Sequence, residues 1–247
     1  MKPSLSRYVD SHIHLNEYGE VERLNYCGRE DLELIAVSED LKSSLTNLTL
    51  MRECRNVRAA VGVHPWLVDK VSGEDFSEIL RLINEVEFIG EVGLDKRFVP
   101  DTLESQMRVF TEFVRKAEES GKGLLLHAAG AWREVLDVVT KASVSVAVMH
   151  WYTGPTELIT KIREHGYYIG VNAALIRQPK AREVVRQTPL DTILTESDGP
   201  YEYRGLRLGP DLIQILVKEI AVIKGLRPEE VVDEVYNNYL ELIRRVK

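Results

Sequence analysis

Short runs of β-branched and aliphatic residues recur along the chain, each followed by a segment with helical spacing, and that alternation leaves few architectures open. Strands are predicted near 7–12, 33–37, 57–63, 86–91, 123–127, 144–149, 166–171 and 191–195. Between them lie helical patterns such as 101–120, where Leu103, Met107, Phe110, Phe113 and Val114 share one face. Two more, roughly 209–224 and 227–245, close the chain, and Pro228 falls in the first turn of the second, where its missing N–H does no harm. The weakest helical pattern is the polar, short stretch 18–30. Alternating strand and helix implies a parallel sheet. Eight units imply closure into a (β/α)8 barrel of the TIM type, whose active site lies at the C-terminal ends of the strands. A length of 247 residues suits one such domain spanning 1–247, and no linker, low-complexity tract or repeat divides it.

In a barrel, residues two apart on a strand point the same way, so Asp10, His12 and His14 at the end of the first strand all face inward. Imidazole and carboxylate groups at a barrel mouth need partners, and a metal ion supplies them. The other histidines repeat the pattern. His64 follows the third strand, His127 ends the fifth and His150 ends the sixth; only His165 falls elsewhere. Glu91 closes the fourth strand between glycines that permit close backbone approach, and Asp198 follows the eighth.

The motifs Asp10-Ser11-His12-Ile13-His14-Leu15, Gly62-Val63-His64-Pro65, Gly90-Glu91-Val92-Gly93-Leu94-Asp95 and Glu196-Ser197-Asp198-Gly199-Pro200-Tyr201, with the Leu126-His127 strand end and the segment from His150 to Gly154, occur in that order. With these six motifs the chain resembles the TatD family of metal-dependent hydrolases, of the amidohydrolase-like superfamily, nearly end to end. The resemblance implies a site for two divalent metal ions, with His12, His14 and Asp198 on one, His127 and His150 on the other, and Glu91 bridging. It gives Asp198 the further task of orienting or deprotonating the attacking water, and His64 a contact to the substrate's phosphate or leaving oxygen. Mixed imidazole and carboxylate ligands suit Zn or Mn better than Mg, although the resemblance admits Mg as well. The implied activity is that of a phosphodiesterase or deoxyribonuclease trimming single-stranded DNA or cleaving a small phosphate ester.

The substrate region departs from the family. Where members usually carry a hydroxyl or thiol and an arginine after the strand-five histidine, this chain has Ala128-Ala129-Gly130-Ala131; past the final aspartate it reads Arg207-Leu208-Gly209-Pro210. Lys96, Arg97, Arg177, Lys180, Arg182, Arg204 and Arg207 lie on connections from the catalytic face and are candidate phosphate contacts. Trp132, Trp151, Tyr152, Tyr201 and Tyr203 are candidates for base stacking. The altered shell favours a second reading, a barrel hydrolase of a non-nucleic ester or amide such as an aminoacyl ester, lactone or phosphomonoester. A third, a metal-binding interaction scaffold without catalysis, conflicts with the complete ligand set.

The net charge of −7 argues against a binder of long duplex DNA, without excluding a local cationic groove. Cys27 and Cys54 form neither a disulfide framework nor a thiolate zinc site by spacing, and residues 1–7 lack the apolar run of a signal peptide. With no stretch long enough to span a bilayer, the expectation is a protein of the reducing cytoplasm, with no membrane and no obligate protein partner.

Overall fold

A computed structural model describes residues 7–247. The opening residues 1–6, on which most of the signal-peptide reading rests, lie outside the described residues. Eight strands, β1 (Tyr8–Ile13), β2 (Leu32–Ala36), β3 (Val57–Val61), β4 (Phe88–Gly93), β5 (Gly123–His127), β6 (Ala147–Met149), β7 (Tyr168–Asn172) and β8 (Ile193–Glu196), lie side by side in chain order. Each of the seven ladders is parallel. Between β8 and β1 the backbone past the last strand closes the ring: the Asp198 N–H donates to the His12 carbonyl at 2.8 Å and the His14 N–H to the Gly199 carbonyl at 2.9 Å. This is the (β/α)8 barrel that the alternation implies.

Helices α1 (Glu20–Tyr26), α2 (Leu41–Glu53), α3 (Gly73–Leu82), α4 (Leu103–Ser120), α5 (Trp132–Lys141), α6 (Leu158–Glu164), α7 (Pro179–Gln187), α8 (Ile213–Lys224) and α9 (Pro228–Arg244) wrap the outside. In α4, Phe110, Phe113 and Val114 are buried against the sheet while Leu103 and Met107 pack at its margin, as the spacing predicts. α1 buries none of its residues, which is why its pattern reads so poorly. A short antiparallel hairpin, β9 (Glu202–Tyr203) with β10 (Leu206–Arg207), rises beyond β8 and has no counterpart among the predicted strands.

Most strand bounds differ from the sequence reading by one to three residues. The apolar run 144–149 gives a strand only over Ala147–Met149. The run 191–195 begins as the helical turn Leu190–Thr192. Glu91 sits inside β4 rather than at its close. Two register shifts interrupt the parallel ladders, between Asp10 and Ile13 in β1 and between Ile89 and Val92 in β4. Irregularities of this kind re-aim side chains, and these two bracket His12 and Glu91.

The cysteines correct the reading. Cys27 and Cys54 form a disulfide, with Cα atoms 5.1 Å apart. Each follows the C-terminus of a helix, α1 and α2, in consecutive β/α units. Adjacent units place equivalent positions side by side whatever their separation in sequence, so spacing alone hides the pair.

Candidate metal centre

The first donors come from β1, where alternation turns Asp10 and His12 inward and His14 follows on the same side. His12 Nε2 lies 3.1 Å from Glu91 Oε2 and 3.5 Å from Asp198 Oδ1. His14 Nε2 lies 3.5 Å and 3.4 Å from the same two oxygens. Donors bonded to a tetrahedral ion at 2.0–2.1 Å stand about 3.3 Å apart, so these four atoms have the spacing of a coordination shell. His12, His14 and Asp198 are thus brought together as expected, with Glu91 on their open side.

The other oxygen of Glu91 faces a second group. His127 Nδ1 is 2.7 Å from Oε1, His64 Nε2 is 3.5 Å and His150 Nε2 is 4.0 Å from it. His150 Nε2 also approaches Asp198 Oδ1 at 3.5 Å, and its ring stacks on that of His12 with centroids 3.5 Å apart. His64 therefore belongs to the same cluster as Glu91 and His127 rather than to an outlying rim. Its Nδ1 accepts the backbone N–H of Trp66 at 3.2 Å, so a neutral ring carries its proton on Nε2 and presents a donor to the centre. His127 is the reverse: Nε2 pairs with Asp95 Oδ2 at 3.1 Å, which leaves the Nδ1 lone pair facing Glu91.

Three buried carboxylates without an assigned role in the sequence reading hold this arrangement. Asp95 fixes His127 and also accepts the Trp66 indole N–H at 2.6 Å and the backbone N–H groups of Arg97 and Phe98. Glu196 places Oε1 2.9 Å from His150 Nδ1, off the line of a hydrogen bond, while accepting the Trp151 backbone N–H at 2.6 Å. Asp10 accepts the Ser197 backbone N–H at 2.8 Å and so ties β1 to the segment carrying Asp198. The available signal was position: Asp95 and Glu196 stand inside quoted motifs, and Glu196 and Asp198 are two apart. Close backbone approach explains two glycines near the cluster. A side chain on Gly93 would collide with the His127 carbonyl, and one on Gly170 with the Glu196 carboxylate. Asp198 and Trp151 adopt positive φ, 58° and 40°, a cost non-glycine residues bear at functional sites.

Burial and charge pull against each other here. Burial favours neutral imidazoles and lowers His12 and His64. For His127 and His150 it is outweighed, by Asp95 and Glu91 in one case and by Glu196 and Asp198 in the other, and both rise to about 9. Burial likewise opposes ionised Glu91 and Asp198, yet the surrounding imidazoles hold both below the usual carboxylate range. No lysine or arginine pairs with either carboxylate among the described residues, and buried nitrogens of His12, His14 and His150 lack hydrogen-bond partners. A donor set of imidazole nitrogens and two carboxylates, with these spacings and no other counter-charge, fits divalent cations.

The rim sorts the candidate substrate contacts. Lys96 pairs with Glu134, Arg182 with Glu219 and Arg207 with Glu22, whereas Arg97, Arg177 and Arg204 have no carboxylate partner among the described residues. Trp132 packs on Tyr152, which is buried and whose hydroxyl donates to the Pro155 carbonyl, so Tyr152 is not offered to a ligand. Trp151, Tyr201 and Tyr203 form one cluster of rings at the mouth.

A closed parallel barrel with His, Glu and Asp donors gathered at the C-terminal ends of its strands defines a metal-dependent hydrolase. The chain matches the family model described as TatD related DNase over residues 9–244. It is 29% identical to an uncharacterized metal-dependent hydrolase of Methanocaldococcus jannaschii, covering 97% of this chain and 98% of that protein. It is 28% identical to the uncharacterized metal-dependent hydrolase YcfH of Escherichia coli K12, covering 95% and 94%. The solved structure of the TatD homologue YjjV from Escherichia coli K12 superposes with a TM-score of 0.87 at 20% identity, over 96% of this chain and 98% of that one. The chain belongs to the TatD family.

Proposed function

We propose that the chain hydrolyses phosphodiester bonds, trimming single-stranded DNA from an end. The observation that carries the reading is Glu91, whose two oxygens face two separate groups of donors, as a carboxylate bridging two cations must. His12, His14 and Asp198 would hold one cation, His127 and His150 the other. Paired divalent cations at such a site lower the pKa of water and neutralise charge on phosphoryl oxygens. Asp198, whose Oδ1 lies 3.4 Å from His14 and 3.5 Å from His12 and His150, accepts the proton of the attacking water. His64 donates its Nε2 proton to a non-bridging or leaving oxygen as charge develops. Arg97, Arg177 and Arg204, left without carboxylate partners, draw the polyanion to the mouth.

One observation favours a second reading, hydrolysis of an aminoacyl ester, lactone or phosphomonoester. The turn after His127 offers only Ala128, Ala129, Gly130 and Ala131, with Ala128 and Ala131 buried, so the turn itself supplies no cation. Purified chain loaded with Zn, Mn or Mg in turn, assayed on end-labelled single-stranded oligonucleotides and on the small esters, separates the two. Progressive shortening of the oligonucleotide supports the first reading, and intact oligonucleotide with a hydrolysed lactone or aminoacyl ester overturns it. Asp198→Asn is expected to keep the fold, seen in its circular dichroism, while turnover falls by ~10²–10⁴-fold. Turnover within tenfold of the parent assigns the proton to another group.

A further inference from the structure

Beside the centre stands a surface that neither the ligand set nor the core requires. Trp66, at the turn after β3, and Phe98, in the connection after β4, are 44% and 59% exposed, yet their rings touch edge to face with centroids 5.8 Å apart. Trp66 also meets the ring of His64 at 5.1 Å, so the pair begins where the metal cluster ends. Nothing among the described residues covers it.

We propose that Trp66 and Phe98, with Arg97, form a ledge that stacks one unpaired nucleobase of the strand and holds its phosphate next to the centre; this rests on the phosphodiesterase reading above. The indole is fixed in place, since its Nε1–H donates to Asp95 at 2.6 Å and its backbone N–H to His64 at 3.2 Å. Phe98 is fixed by the same carboxylate, which accepts its backbone N–H at 2.8 Å. One buried aspartate therefore holds His127, the Trp66 indole and the backbone of Phe98 in a single frame. A preformed, exposed π-surface costs little ordering on binding and takes any base, because every base has a flat face. The charge matches too. The Arg97 guanidinium lies 5.2 Å from the Phe98 ring centroid without a carboxylate partner among the described residues, while the adjacent Lys96 is held by Glu134. A polyanion with planar bases satisfies both features, and an aliphatic ester satisfies neither.

The test uses the metal-loaded chain and a short phosphorothioate oligothymidylate that resists cleavage, together with a series in which one base at a time is replaced by an abasic sugar. Affinity is read from quenching of tryptophan fluorescence and from an independent anisotropy titration. The parent chain is expected to lose about tenfold in affinity at one abasic position near the strand end. Phe98→Ala, an exposed change, should lose a similar factor on the full oligonucleotide and nothing further at that position; Trp66→Leu should behave alike. Arg97→Gln should lower the slope of log affinity against log salt by about one. Additive losses, with every abasic position weakening parent and variant equally, overturn the ledge even where the oligonucleotide is cleaved. A chain that neither cuts unmodified oligonucleotide nor binds its phosphorothioate form overturns the phosphodiesterase reading, and the ledge with it.

Discussion

Asp95 never faces the centre directly, yet it decides which nitrogen of His127 does. With Nε2–H donated to Asp95, the Nδ1 lone pair is free for a cation. Asp95→Asn keeps the shape but allows the ring to turn or change tautomer, and metal affinity is expected to fall by about 10–100-fold. A metal titration by calorimetry checks this, and an unchanged affinity would show that packing alone orients the ring. The clustering of these histidines and carboxylates was legible in the sequence because period-two alternation and strand ends locate them. Asp95, Glu196 and Asp10 were not assigned, since each acts on another side chain and leaves no periodic trace of its own. Trp66 and Phe98 escaped for a different reason: they lie in connections, where no repeat fixes direction, and only the fold brings β3 and β4 turns together.

At the scale of elements, eight strands and the long helices were readable because burial imposes a period on each. The failures share a cause. Apolar spacing outruns the strand itself, so Val144 and Val146 are buried although β6 begins only at Ala147. The Cys27–Cys54 link between the ends of α1 and α2 is another such case, invisible until neighbouring units are laid side by side. It closes a loop with a sequence separation of 27, which by loop entropy stabilises the fold by about 3.5 kcal/mol. Reduction, or the double change Cys27→Ala and Cys54→Ala, is expected to lower the melting temperature by roughly 10 °C and leave metal content unaltered. A melting temperature insensitive to reductant would mean that the two thiols are unlinked in solution.

For the whole molecule, the centre makes stability depend on pH in opposite ways with and without metal. In the folded, metal-free chain Asp95 with Glu91 and Glu196 with Asp198 raise His127 and His150 from the ordinary imidazole value of about 6.5 to about 9. Their contribution is fully present below pH 6.5 and is lost as pH rises through 9. His12 and His64, shifted down, act only below pH 6.5 and do not cancel it. Metal-free protein should therefore melt at progressively lower temperature between pH 7 and 9. Metal competes with protons for the same nitrogens, so affinity rises over that range and the loaded protein should hold or gain stability. Parallel scanning calorimetry of both forms checks this, and parallel slopes would exclude the imidazoles as ligands.

The seam between β8 and β1 carries this coupling into folding. One closing bond runs from the Asp198 N–H to the His12 carbonyl and the other from the His14 N–H to the Gly199 carbonyl, so the ring shuts at the first and last of the candidate ligands. Such distant partners meet late, because the loop between them spans about three quarters of the chain. A nascent chain cannot assemble the cation cage until its last strand has been made, and partial products cannot mimic it. An ion held by these residues would then be captured only by a chain made past β8, and would brace the seam it spans.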